Sequence, residues 1–354
     1  MLSLYAPFLC GKLPLVCRIN GAWSFPFWRD FFAPQPPESW LTGCCNYLAL
    51  LLPAVLILKK LKFSRITLTG AALLLALPFV LVQPFLDHTA YRQLKNTPGN
   101  IILLPAIPFD ALETSGVPGA KPSAEHLLGC DDIGRDVAAR LLAGGRVSLS
   151  VGLGSTLLAL LIGCAVGLYC GYRGGLPDLA VMRGVEILMC FPTFLLLLIL
   201  MSLLSDYHFE QSIPVVICVL GLTGWITVAL LVRAQTLKER KLPYIESCVV
   251  SGVAEKRILF GQLLPNVAAP VLIAGAFGIA GAVLAESGLS FLGFGVKAPA
   301  PSWGELLRQA FDNPLDNWHL TVFPGILLFW TVFSFNLLGE GLRQVLSVKE
   351  EQVR

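Results

Sequence analysis

Charge is scarce in this 354-residue chain: 14% of its residues are Asp, Glu, Lys or Arg, against about a quarter in an ordinary soluble domain. That scarcity, with a mean hydropathy of +0.71, excludes intrinsic disorder and argues against a simple soluble domain. The net charge of +3 is too small, and its basic residues too interrupted by apolar runs, to point to nucleic acid. No Gly-x-x-x-x-Gly-Lys-Ser/Thr loop is present, so the chain is not expected to hydrolyse ATP itself. His88, His126, His208 and His319 are scattered, with no His-Glu-x-x-His and no Cys-x-x-Cys, so neither a metal site nor a catalytic set is expected. Gly-x-Ser-x-Gly is missing too. The start shows no basic n-region and no convincing cleavage site of a secretory signal.

What is present is long apolar stretches. A spanning helix needs roughly 20 mostly apolar residues to cross a hydrocarbon core about 30 Å thick. Seven uncharged runs qualify: Ser39 to Leu58, Ile66 to Leu86, Val147 to Tyr172, Ile187 to Ser205, Gln211 to Val232, Ile258 to Ala285 and Asn317 to Gly339. One such run can be a buried core helix, but no soluble core of this size hides seven. The expected fold is therefore an all-α polytopic transmembrane bundle of about seven spans.

Lys and Arg in short loops are held on the cytoplasmic side. Lys59, Lys60, Lys62 and Arg65; Arg173 and Arg183; and Arg233, Lys238, Arg240, Lys241, Lys256 and Arg257 all fall on one side, with the tail from residue 343 to 354. The opposite side receives residues 1–38, the segment 87–146, the Asp206 to Glu210 loop and Glu286 to Asp316. This reading makes 39–86 a transmembrane hairpin and 147–342 a membrane core with a cytoplasmic loop at 233–265. The aromatic set Trp23, Phe25, Phe27, Trp28, Phe31 and Phe32 fits a segment at the outer membrane interface.

Cys164, Cys170, Cys190 and Cys218 lie in apolar runs and read as small hydrophobes. Cys10 and Cys17 would lie outside the cytoplasm; free thiols are expected, although their spacing leaves a disulfide open. Ionisable side chains are expected only near span ends, with Arg183 and Glu186 forming an interfacial pair on one helix face. Gly163, Gly167 and Gly171 stack on one face of the third span, and Gly275, Gly278 and Gly281 recur in the sixth, so tight helix packing is expected there.

The most informative segment is LKERKLPYIESCVVSGVAEKRILFGQLLPN, between the fifth and sixth spans. Its Tyr244, Glu246, Ser247, Cys248, Gly252 and Leu264-Pro265 resemble the cytoplasmic signature of bacterial ABC transporter permeases: Glu-Ala-Ala, three residues, Gly, nine residues, Ile, one residue, Leu-Pro. Ser247 and Cys248 replace the two alanines, and Gln262 stands in place of Ile. A short helix starting near Glu246 and turning at Gly252 suits a docking lever, with Leu264-Pro265 marking the chain's return to the membrane. Taken by the spacing alone, a basic amphipathic turn on lipid headgroups is the other reading.

Further resemblance comes from HLLGCDDIGRDVAARLLAGGRVSLSVG, His126 to Gly152, which is similar to the Leu-Gly-Thr-Asp-x-x-Gly-Arg-Asp segment of the peptide and nickel class of these permeases. Gly129, Asp131, Gly134, Arg135 and Asp136 carry that outer signature, with Cys130 in place of Thr. Gly171 to Leu196, Leu284 to Leu307 and Phe335 to Leu346 are similar to later segments of the class. The likeness runs from His126 to Leu346 and is nearest to the second, shorter permease subunit, in the peptide and microcin importing branch.

Such a resemblance implies the ABC importer permease fold and half of a translocation channel in the bacterial inner membrane. It implies four kinds of partner: a second permease subunit, two cytoplasmic ATPases that bind the ATP, an extracytoplasmic solute-binding protein and membrane lipid. No cofactor is implied for the chain itself. ATP binding closes the ATPases, and Glu246 to Gly252 carries that motion to the spans; the outer segments form a docking and gating surface. Peptides, opines, microcins and nickel chelates all stay open as cargo. A secondary transporter, which would need ionisable groups or broken spans near the midplane, is the alternative from another class.

The N-terminal third departs from the pattern. Leu13 to Phe32 resembles the segment that follows a first span in the peptide and microcin branch, so 39–86 reads as an inserted hairpin. Residues 1–38 are expected outside, through translocation of the N-terminus or because a preceding span lies outside this reading frame.

Overall fold

The computed structural model describes residues 2–19, 22–33, 39–60, 91–94, 100–206, 212–297, 299–311 and 313–352, together with isolated positions 69, 75, 76 and 78. In chain order its elements are α1 (Ala6–Leu9), β1 (Val16–Ile19), β2 (Ala22–Ser24), α2 (Pro26–Phe32), α3 (Ser39–Lys60), α4 (Tyr91–Leu94) and β3 (Ile101–Leu103). Then follow α5 (Val137–Arg173), α6 (Gly175–Met189), α7 (Thr193–Asp206), α8 (Ile213–Glu239), α9 (Pro243–Val250), α10 (Glu255–Phe291), α11 (Trp303–Gln309) and α12 (Trp318–Gln352). The chain divides into two compact units, Met1–Val147 with Ala298–Pro324, and Ser148–Lys297 with Gly325–Arg354.

The first unit holds a small antiparallel sheet in the order β2-β1-β3, an addition to the all-helical expectation. Strand alternation sorts its side chains. Cys17, opposite Ser24 and Ile102, joins Leu13, Tyr91 and Ile102 in a core, while Arg18 pairs with Trp23 and Ile101 on the other face. The Arg18 guanidinium sits 5.6 Å from the Trp23 ring centroid, a cation–π contact. The aromatic set is divided rather than uniformly interfacial. Phe27 and Phe31, one helical turn apart in α2, are buried with Phe8 at centroid distances of 5.0 and 5.1 Å, whereas Trp23, Phe25 and Trp28 are exposed.

In the second unit the glycine stripes do the work expected of them. A Cβ on Gly163, Gly167 or Gly171 would collide with Val228, the Ala229 carbonyl or Thr236, so the α5 backbone lies directly on α8. On α10, a Cβ on Gly275 or Gly278 would press more lightly, at 3.1 Å, on the Leu160 and Thr156 side chains of α5; Gly281 faces open space. Leu153, Leu157 and Leu161 of α5, four residues apart, form an exposed apolar stripe suited to lipid.

Among the described residues four helices are long and apolar enough to cross a membrane: Val137–Arg173, Ile213–Glu239, Glu255–Phe291 and Trp318–Leu346. The run Ile187 to Ser205 is not one straight helix. It straddles a break between α6 and α7 with an 86° bend, and counting that pair as one span gives five. Pro192 sits in the break, where it has no N–H to give and steers Phe191 away from helical geometry. Ser39 to Leu58 lies in one continuous helix, Ser39–Lys60. Ile66 to Leu86 lies outside the described residues.

Candidate functional site

The loop between α8 and α10 folds as the spacing of Glu246 and Gly252 indicates. Pro243 opens α9 at its first turn, where a missing N–H costs nothing, and Glu246 lies in the first turn beside the positive end of the helix dipole. Gly252 closes it at φ 72°, with Gly252 N–H donating to the Val249 carbonyl at 3.0 Å and Val253 N–H to the Cys248 carbonyl at 3.0 Å. Those two bonds are the Schellman arrangement. No neighbouring atom lies within 4 Å of a Cβ placed on Gly252, so backbone conformation alone demands glycine there.

The helix has two distinct faces. Ile245, 2% exposed, enters a core with Leu168, Val228, Val232, Ile258, Leu263 and Val267, and Tyr244 and Cys248 pack beside it. Glu246, Ser247, Val249 and Val250 point outward, Val250 with 89% of its surface in the open. The Ser247 hydroxyl bonds back to the Pro243 carbonyl at 2.8 Å. Leu264 and Pro265 do not restart the chain after a break. The helix already runs from Glu255, and a π turn at Leu259–Leu263 precedes them, accommodating a proline that cannot complete an α-helical ladder. Gln262 is exposed on that turn, clear of the Ile245 core.

Arginines tie the ends of the surrounding helices together. Arg233 of α8 grips Asp178 of α6 through two bonds of 2.5 and 2.6 Å. Arg240 donates to the Gly171 and Tyr172 carbonyls at 3.1 and 3.0 Å, satisfying acceptors that the end of α5 leaves open. Arg173 makes a bidentate pair with Glu255 at 2.8 and 2.7 Å, and Arg183 meets Glu186 at 2.6 Å as expected. These last two pairs are exposed and contribute little to stability.

The outer signature residues form a buried turn in the first unit. Asp131, fully buried, accepts from Ile133 N–H at 3.1 Å, Arg135 N–H at 2.8 Å and Arg135 Nε at 2.6 Å. Arg140 Nε faces its Oδ2 at 3.2 Å without hydrogen-bond alignment, and the same guanidinium pairs with Glu305. Asp136 caps α5 by accepting from Ala139 N–H at 2.8 Å, while its other oxygen meets His126 Nδ1 at 2.9 Å. Gly129 and Gly134 have φ of 83° and 86°, and a Cβ on Gly134 would stand 2.3 Å from the Gly116 carbonyl oxygen. Burial, with Asp136 and Asp131 nearby, pushes the Cys130 thiol up to about 11, so it is a protonated core group and no nucleophile. Cys10 and Cys17 are free thiols, bonded to the Ala6 carbonyl and next to the Ser24 hydroxyl respectively.

Several polar groups have no forewarning in the sequence. Glu286, assigned above to an outer segment, lies inside α10 with no exposure; it accepts from Ser148 Oγ at 2.9 Å and Ser290 Oγ at 2.7 Å. The i to i+4 spacing of Glu286 and Ser290 was visible, but Ser148 comes from the distant α5. Arg140 and Glu305 meet across a similar separation. Ser302-x-x-Glu305 does carry a local signal: Glu305 N–H donates to Ser302 Oγ at 3.2 Å and starts α11. Among the described residues no group of His, Cys, Asp and Glu is placed to hold a metal ion.

Residues 163–349 match the family described as binding-protein-dependent transport system inner membrane component. The chain is 37% identical over 234 residues to the oligopeptide transport system permease protein OppC of Haemophilus influenzae, covering 65% of this chain and 73% of that protein. It is 33% identical over 295 residues to the dipeptide transport system permease protein DppC of Bacillus subtilis, with 82% and 84% covered. The glutathione transport system permease protein GsiD of Pectobacterium atrosepticum is 35% identical over 228 residues, 64% of this chain and 74% of that one.

Proposed function

The chain belongs to the binding-protein-dependent transport system inner membrane component family, and from that premise we propose that it imports peptides or peptide-like small solutes as one of two unlike permease subunits. It is a multi-pass inner-membrane permease that works with other ABC transporter components and leaves catalysis to a separate ATPase subunit. In our reading those components are a second permease subunit, two cytoplasmic ATPases that carry the ATP, and an extracytoplasmic solute-binding protein; lipid surrounds the spans and no cofactor resides in this chain. The peptide class of cargo rests on the names of OppC, DppC and GsiD.

The observation that carries the coupling role is the division of α9 into two faces. One isoleucine anchors the helix in the core while Glu246, Val249 and Val250 stand outward. Two exposed valines beside a carboxylate are costly in water and suit a groove on a soluble partner. The ATPase seats there, and its closure moves α9 against α8 and α10. The outer signature residues act through structure: they cap α5 and bind the segment before it. The side bearing the β1–β3 sheet faces outward, and α9 faces the cytoplasm.

Glu246→Lys tests the docking. The chain should insert normally, while co-purification of the ATPases falls at least about tenfold, the equivalent of one charge-assisted hydrogen bond. Gly252→Val, forced into a left-handed backbone, should lose uptake similarly. Native ATPase binding and native peptide uptake by both inserted variants would refute the coupling assignment.

A further inference from the structure

Tyr244 belongs to the signature segment of the docking loop, yet its hydroxyl does not point toward the docking face. It donates to Glu239 Oε2 on α8 at 2.8 Å and accepts from Asn266 Nδ2 on α10 at 2.7 Å. Tyr244 is the second residue of α9, Glu239 is the last residue of α8, and Asn266 stands in the first turn after the π segment of α10. One phenol oxygen therefore ties three helices together. The ring lies against the core that Ile245 enters, and burial followed by the Glu239 carboxylate raises the phenol above its ordinary value, keeping its proton in place for the carboxylate.

Taking α9 to be the ATPase-docking helix, as above, we propose that the Glu239–Tyr244–Asn266 relay is the linkage through which its movement reaches α8 and α10. Tyr244 is a positioning residue and not a docking one. Three features argue for it over the apolar core alone. The core of Ile245, Val232 and Val267 resists separation but is non-directional, so it permits α9 to slide. Hydrogen bonds with a charged acceptor fix direction as well as distance. The arginine clamps, by contrast, join α5 to α8 and α10, and α6 to α8; none of them includes a residue of α9. The π turn at Leu259–Leu263, which ends three residues before Asn266, is a segment whose hydrogen-bond pattern differs from that of the helix on either side, which makes it a place for α10 to yield when Asn266 is pulled.

The test uses the complete importer in proteoliposomes, with spin labels carried on p-acetylphenylalanine at positions 238 and 262, both exposed. The distance between them is measured without nucleotide and after trapping with ATP and vanadate. In the unmodified chain the trapped state should shift the distance. Tyr244→Phe removes one oxygen and nothing else; it should keep the ATPases bound and hydrolysing within twofold, while the shifted population falls by about tenfold. Glu239→Ala should do the same, Glu239→Gln, which retains an acceptor, should restore most of the shift, and the Tyr244→Phe/Glu239→Ala double variant should be no worse than either single one. A native shift in Tyr244→Phe, losses that multiply in the double variant, or no shift in the unmodified chain would overturn the proposal. Loss of ATPase binding in Tyr244→Phe would overturn it too, by placing the hydroxyl in the docking face. Failure of the docking reading itself has another signature: Glu246→Lys would retain the ATPases.

Discussion

A Cβ on Gly167 would stand 2.6 Å from the carbonyl oxygen of Ala229, which no real side chain tolerates. The α5 backbone rests on the α8 backbone at that point, and Gly163 and Gly171, one turn to either side, repeat the approach. Gly167→Leu should therefore push α8 away and lower stability by about 1–3 kcal/mol, the usual cost of overpacking. Thermal unfolding of the detergent-solubilised chain measures it. Gly281→Ala is the control: with open space at its Cβ position it should be neutral or stabilising by about 0.5–1 kcal/mol. Equal losses in the two variants would contradict this account of the interface.

Asp136 serves two groups, the Ala139 N–H and the His126 ring. Asp136→Ala should cost about 2–4 kcal/mol, combining a lost helix cap with a buried imidazole nitrogen deprived of its partner. Asp136→Asn keeps an oxygen for the cap and should cost less than half as much. Limited proteolysis between residues 111 and 135 reads the loosening of the turn directly; unchanged cleavage in the alanine variant would argue against the cap.

Asp30 gives a pH dependence with a definite sign. Burial first, and then Asp110, push its carboxyl up to about 6 in the fold, against 3.8 ordinarily. The folded state thus holds this proton more tightly than the unfolded chain, so the Asp30 contribution to stability grows as pH falls from about 6 towards 4 and is absent well above 6. Asp30→Asn should flatten that part of the profile. Fluorescence of Trp23 and Trp28, followed through unfolding at a series of pH values, reports it; identical profiles for both chains would count against the assignment.

Strand pairing constrains the membrane topology that the loop charges predict. β1 and β3 are hydrogen-bonded neighbours, so residues 16–19 and 101–103 share one side. Single thiols introduced at Pro118 and Pro301 should react with an impermeant maleimide added from outside, and those at Lys60 and Lys241 after permeabilisation alone. A tag at the N-terminus should be cleaved by protease added to spheroplasts. Outside labelling at position 60 with protection at 241 would remove the 39–86 hairpin.

The features legible in the sequence are those whose partners recur at short, regular spacing. Glu246 and Gly252 declare a short capped helix because a cap is a local event. Gly163, Gly167 and Gly171 declare close packing because one helix face repeats every four residues. Pro192 was equally visible, yet it lay within a run so apolar that hydropathy outweighed the break it imposes. β1 and β2 are three or four residues long and sit among aromatics, too short for alternation to stand out. Arg140 with Glu305, Tyr244 with Asn266 and Ser148 with Glu286 were not legible, because nothing local to either member of each pair names the other.

The composition of the first unit sets an order of events during synthesis. Its sheet cannot close until β3 has followed β1 out, and the unit is not whole until Ala298–Pro324 has been made, after nearly all the membrane helices. At about 5–20 residues per second, β1 gains β2 almost at once but waits on the order of ten seconds for β3, and Arg140 waits roughly 10–30 seconds for Glu305. Throughout that interval an unpaired strand edge and a guanidinium bound for burial stand unprotected. The arrival of α11 is therefore the moment of maturation: a nascent chain halted before Glu305 carries most of its long apolar helices and an unfinished first unit.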